Sequence, residues 1–131
     1  MAETLTITRT DGQVHVLHLA GKLDAETQAA LVETAKAQQA AGTRYLLIDL
    51  RDLDFITSAG LGALHNIYKM FTPANEVTAW EKQNPGEPDK SAYMKLAGAS
   101  PGVYYVLNIA GFLQNIPIYP DLQGALQSFP A

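Results

Sequence analysis

No cysteine occurs anywhere in the 131 residues. That excludes a disulfide framework, a thiolate metal site and a cysteine nucleophile. Positive charge is also sparse: nine Lys and Arg against thirteen Asp and Glu give a formal net charge of -4, and the cations are scattered from Arg9 to Lys95. Without a basic stripe to neutralise phosphates, nucleic acid is not an expected partner. Long apolar runs are missing as well. No hydrophobic segment approaches the length of a membrane span, and Met1-Ala2-Glu3-Thr4 has neither the basic start nor the apolar middle of a signal peptide. A cytoplasmic location without membrane insertion is therefore expected.

What is present is the balance of a folded chain, with 47% hydrophobic and 17% charged residues. The length suits one domain over residues 1–131. Leu5 and Ile7 alternate with threonines as in a strand, and Asp11-Gly12 predicts a tight hairpin turn with positive backbone angles. A second strand is expected over Val14–Ala20, with Gly21 to Asp24 as a connection. Asp24 then caps a helix that carries Glu26 in its first turn and ends near Gly42. The apolar run Tyr45–Leu50 reads as a strand covered on both faces. A turn rich in Arg51, Asp52 and Asp54 follows.

Leu61, Leu64, Tyr68 and Phe71 recur at helical spacing, so a helix starts near Ser58 and ends before Pro73. The polar stretch 73–90, holding Asn84-Pro85-Gly86-Glu87-Pro88, reads as an inserted surface loop with at most a helical turn. A strand over Tyr93–Ala97, a helix from the Ser100-Pro101 cap to Gly111, an edge strand over Ile116–Tyr119 and a helix from Asp121 through Leu126 complete the order β-β-α-β-α-β-α-β-α. This alternation implies right-handed crossovers and an α/β fold, with a mixed, mostly parallel sheet of about five strands and about four helices.

In such folds function gathers beyond the carboxyl ends of the parallel strands. If the second and third strands are parallel neighbours, Gly21-Lys22-Leu23-Asp24 lies beside Phe55-Ile56-Thr57-Ser58-Ala59-Gly60. Gly60 and Gly62 in the first turns of a helix each cost about 0.5–1 kcal/mol against alanine. They serve either close packing on the sheet or the approach of another molecule to Ser58, and spacing does not choose between the two. Ser58 itself fits a plain N-cap as well as a switch. A phosphoryl group there would sit at the positive end of the helix dipole without unfolding the domain. A partner packing on the glycine-flattened surface would then have to desolvate or pair that charge, and would be released.

These segments resemble the STAS domains, named for sulfate transporters and anti-sigma-factor antagonists, and among them the bacterial antagonists. Gly21-Lys22-Leu23-Asp24-Ala25 is similar to the family's entry into its first helix, and Leu47-Ile48-Asp49-Leu50 with Phe55-Ile56-Thr57-Ser58-Ala59-Gly60-Leu61-Gly62 to its signature. Ser100-Pro101, Val106-Leu107, Gly111-Phe112 and Ala125-Leu126 are similar to its carboxyl-terminal part. The resemblance implies a STAS-like (SpoIIaa-like) single domain that binds an anti-sigma factor. It further implies that the anti-sigma factor's serine kinase activity switches the domain off at Ser58. Thr57 is the alternative acceptor, and the implied partner surface is Lys22, Asp24, Thr57, Ser58, Ala59, Gly60, Leu61 and Gly62. Many phosphorylated members carry Asp before the serine and Ser or Thr after it, where this chain has Thr57 and Ala59. Trp80 in the insertion either anchors a partner or folds back onto the core.

Other residues carry less. His15 and His18 fall on opposite strand faces and His65 on a helix, so no metal site is expected. Gly60-Leu61-Gly62 lacks the third glycine of a dinucleotide loop, since His65 stands there. Asp49, Asp52 and Asp54 read as strand and turn residues rather than as paired catalytic carboxylates. Tyr104 and Tyr105 read as packing residues without the basic surround of a base-stacking platform. No nucleophile, base and orienting group come together, so neither an enzyme nor a cofactor is expected. A second reading, a ligand-sensing or scaffold subunit of a transporter or signalling assembly that is never phosphorylated, rests on Thr57 and the insertion.

Overall fold

A computed structural model describes residues 5–87 and 90–129, without the side chain of Phe112. The Met1–Thr4 segment, and Pro88 and Asp89 of the insertion, lie outside it. The chain order is β1 (Leu5–Thr10), β2 (Val14–Leu23), α1 (Gln28–Ala40), β3 (Tyr45–Ile56), α2 (Ser58–Phe71), α3 (Ala74–Gln83), β4 (Met94–Ala97), α4 (Pro101–Ile109), a short 3-10 turn (Phe112–Gln114), β5 (Ile118–Tyr119) and α5 (Leu122–Gln127). The five strands form one sheet in the order β1-β2-β3-β4-β5. β1 is antiparallel to β2 and every other pair is parallel.

Side-chain alternation along the strands sorts the core into two layers. Leu17, Leu19, Leu46, Ile48 and Leu50 face a cluster that takes in Leu31 of α1, Leu64 and Ile67 of α2, and Val103 and Leu107 of α4. Val16, Leu47 and Ala97 face the other way, onto Ala125 and Phe129 of the α5 segment. Lys95 is buried beside that second layer. Its ammonium donates to the Ser128 carbonyl (3.0 Å) and hydroxyl (2.9 Å) and lies 4.5 Å from the Phe129 ring centroid.

Several expected boundaries move. Gly21 to Leu23 belong to β2, and the expected turn at Arg51, Asp52 and Asp54 is the second half of β3. β4 pairs with β3 only as far as Asp49, while the β2 ladder runs on to Leu23↔Ile56 through two register shifts. Beyond Asp49, then, β3 is half of a two-stranded ribbon with exposed positions, and polar residues suit them. The Asp11-Gly12 hairpin closes without any positive φ at those residues. Its last β1–β2 pair is Thr10↔Val16, too wide a loop for the two-residue turn.

Asp24 does not cap α1 directly. Its Oδ1 accepts from the Glu26 and Thr27 amides (3.0 and 3.1 Å), forming a turn from which the helix starts four residues later. The 73–90 insertion is not simply a loop, because α3 occupies ten residues of it. β5 is shorter than expected, with Pro117 outside it, and lies at the sheet edge.

Candidate functional site

The parallel pairing of β2 and β3 brings the carboxyl ends of both strands to the same end of the sheet, where the Thr57 amide donates to the Leu23 carbonyl (3.0 Å). Asp24 follows β2 directly, and Thr57 and then Ser58 follow β3, so the two connections leave the sheet side by side. Lys22, within the ribbon, sets its ammonium 5.3 Å from the Phe55 ring centroid.

Ser58 is not the cap of α2. Thr57 is, with an extended backbone and a hydroxyl that accepts from the Gly60 amide at 3.4 Å. Ser58 is instead the first helical residue, exposed, and its hydroxyl has no hydrogen-bond partner among the described residues. A β-branched threonine suits the extended cap position, and that assignment leaves the serine oxygen uncommitted.

The two glycines differ in their surroundings: Gly60 is packed and Gly62 is open. A Cβ on Gly60 would lie 2.5 Å from the Leu23 carbonyl oxygen and 2.8 Å from Ile56 Cγ1, so this glycine lets α2 seat against the strand ends. A Cβ on Gly62 would meet nothing within 4 Å. Gly62 is exposed and opens onto a cleft of about 480 Å³ lined by Ser58, Leu61, Gly62 and His65 on one side and by Ala110, Gly111, Asn115 and Ile116 on the other. Of the expected site residues, Ser58, Leu61 and Gly62 share this cleft. Thr57 and Gly60 build its support, and Lys22 and Asp24 belong to the adjoining strand and turn.

His65 and the α4 wall were not among the expected site residues. His65 follows Ser58 by seven positions and so returns to the same helix face, a signal present in the spacing. The opposite wall comes from tertiary packing of a segment some fifty residues away, for which the local sequence holds no signal. Trp80 stands apart on α3, 39% exposed, with its indole N–H donating to the Glu87 carbonyl (3.2 Å). It folds back onto its own loop, and not onto the core.

Asp49 is buried and structural in geometry. Its Oδ2 pairs with His18 Nδ1 at 2.8 Å and its Oδ1 accepts from the Arg51 amide at 3.0 Å, while His18 Nε2 meets the Thr10 hydroxyl at 2.9 Å. Asp52 and Asp54 are exposed on the β3 ribbon and join no such network. Tyr104 and Tyr105, expected to pack, are exposed on α4. No helix among the described residues is long and apolar enough to cross a membrane.

Comparison with known proteins agrees with this architecture. The curated anti-sigma F factor antagonist of Paenibacillus polymyxa is 26% identical over 114 residues, covering 86% of this chain and 84% of that one. The crystal structure of an anti-sigma factor antagonist from Mycobacterium paratuberculosis superposes with a TM-score of 0.74 at 24% identity, over 95% of this chain and 92% of that chain. The phosphorylated form of the Bacillus cell fate determinant SpoIIAA gives a TM-score of 0.59 at 15% identity, over 94% and 96% of the two chains. The STAS domain family profile matches residues 6–76, more than half of the sequence. With the mixed sheet, the strand-end serine and that match together, the chain belongs to the STAS domain family.

Proposed function

We propose that the protein is an anti-sigma-factor antagonist, a cytoplasmic binding protein and not an enzyme, that it captures an anti-sigma factor on the surface around Ser58, and that phosphorylation of Ser58 switches it off. The observation that carries this reading is the exposed Ser58 hydroxyl, left without an internal partner because Thr57 takes the cap. The name of the Paenibacillus relative and the phosphorylated state of the Bacillus structure support it.

In the proposed step, Ser58 Oγ attacks the γ-phosphorus of ATP held by the partner, ADP leaves, and the hydroxyl proton passes to solvent or to a base on the kinase. The phosphoserine gains about two negative charges at the first turn of α2, where unpaired amides and the helix dipole accommodate them. The fold survives, while the partner loses a neutral surface. Desolvating that charge weakens binding by about 100-fold or more.

Incubation with the cognate anti-sigma factor and ATP, followed by intact-mass measurement, tests the modification. One phosphoryl group is expected on wild type and on Thr57→Ala, and none on Ser58→Ala. Equal gain on Ser58→Ala, or none on wild type, contradicts the proposal. The cleft favours a second reading, a ligand-sensing or scaffold subunit, because its volume falls in the range of small-molecule sites. A small molecule retained on native mass spectrometry, together with no phosphorylation, would favour that reading instead.

A further inference from the structure

From Leu96 to Pro120 the sequence holds no Asp, Glu, Lys, Arg or His. Such a 25-residue stretch would be unremarked in a core, but here it includes α4, whose outer side is open. Tyr105 and Ile109 are each 64% exposed, and they lie one helical turn apart on the same face. On the helical circle, Val103 and Leu107 point into the core and Tyr104 turns toward β5. Ile109 falls between Tyr105 and Ala110, and Ala110 forms a wall of the Ser58 cleft. The apolar stripe is thus continuous with the cleft.

We propose that this α4 stripe is the second half of the anti-sigma factor's docking surface, and that the partner presents an uncharged, apolar ridge that spans from Tyr105 and Ile109 across the cleft to Ser58. This inference rests on the reading of Ser58 given above. Three considerations select that occupant. A nine-residue helix offers a face about 14 Å long and 10 Å wide, far short of the ~800 Å² per partner of a standard specific interface, so a second copy packed on α4 alone would not hold. A lipid surface is disfavoured because no Lys or Arg follows Lys95 in the sequence, and Lys90, which lies beside the end of α4, already donates to the Leu113 carbonyl (2.7 Å). A protein that already covers Ser58 needs only to continue across Ala110 to bury the stripe. Uncharged centres with aromatic anchors are characteristic of well-packed interfaces.

The arrangement also explains why one phosphoryl group suffices as a switch. The ridge would be held on the α4 side by apolar contact and, being uncharged, would bring no cation of its own to pair a phosphoryl group at the Ser58 end.

The test is titration calorimetry of the full chain against the cognate anti-sigma factor, with Tyr105→Asp, Ile109→Asp and, as a control on the exposed side of α1, Ala37→Asp. Both α4 variants should keep the wild-type melting temperature within a few degrees and bind about tenfold or more weakly, whereas Ala37→Asp should bind as wild type. If wild type binds and phospho-Ser58 does not, yet both α4 variants bind within about twofold of wild type, the α4 inference is wrong and the Ser58 reading stands. If wild type shows no binding at all, the Ser58 reading fails and takes this inference with it. A dimer abolished by Ile109→Asp in sedimentation, or wild-type protein that floats with anionic vesicles, would assign the stripe to another occupant and overturn the proposal.

Discussion

Thr57 and Ser58 divide two tasks that one residue at a helix start often performs alone. The threonine hydroxyl satisfies the Gly60 amide, and the serine hydroxyl faces outward. Thr57→Ala should therefore cost about 1 kcal/mol of stability in urea titration without preventing the proposed phosphorylation of Ser58. Ser58→Ala should change stability by less than about 0.5 kcal/mol, as a surface substitution with no partner to lose. A larger loss at Ser58 than at Thr57 would reverse the assignment.

The glycines separate in the same way. Gly60→Ala forces a methyl against the backbone of β2 and should destabilise by about 1–3 kcal/mol. Gly62→Ala enters open space inside a helix and should stabilise by about 0.5–1 kcal/mol, while adding a methyl to the cleft. Sequence alone placed both pairs at a helix start, where α2 begins. It did not assign the roles within each pair, because these depend on backbone angles and on the approach of Leu23 from another strand.

Among elements, α3 shows most clearly what periodicity does not detect. It buries no residue, so it lacks the apolar stripe by which helices are recognised, and its Pro and Gly flanks resemble a loop. It is held instead by polar links. The Tyr93 hydroxyl donates to the Glu76 carboxylate at 2.8 and 2.9 Å, and Trp80 reaches Glu87. The Glu76 hydrogen bond, reinforced by desolvation and by the carboxylate's charge, raises the Tyr93 pKa above its ordinary value. With the folded-state value raised, this contribution is present below the unfolded tyrosine pKa and is lost as pH rises through the folded one.

The protection of α3 amides, taken relative to the intrinsic base-catalysed exchange rate at each pH, should therefore fall at pH above about 10, the unperturbed tyrosine value, and Tyr93→Phe should show low protection already at neutral pH. Protection in α3 that is indifferent to both changes would mean the link does not hold the helix. A similar polar clasp secures α5. Lys95→Met removes the donor to Ser128 and should destabilise by about 1–3 kcal/mol, read as a lower urea midpoint. The α4 and α5 starts were legible because Ser100 and Asp121 carry their cap bonds to Val103 and Gly124 as their positions suggest. The continuation of β3 was not, because acidic residues in a projecting ribbon look like those of a turn.

For the whole molecule, strand and helix alternation was enough to anticipate the α/β layers, while the parallel pairing of β2 with β3 stood only as a condition that the structure meets. That pairing puts the Asp24 turn and the Ser58 helix start at the same end of the sheet, which is the physical basis of the proposed switch. Both walls of the cleft belong to the layer built on α1, α2 and α4, while α5 closes the opposite face of the sheet. A charge added at Ser58 therefore lies outside either core cluster, and phosphorylation should leave circular dichroism and the melting temperature nearly unchanged.

The most direct measurement compares the affinity of the cognate anti-sigma factor for the unmodified protein and for the protein phosphorylated stoichiometrically at Ser58, with the melting temperature of each recorded alongside. The account predicts a loss of about 100-fold or more in affinity with the fold intact. Equal affinity in the two states, or a loss explained by unfolding of the phosphorylated domain, would contradict it.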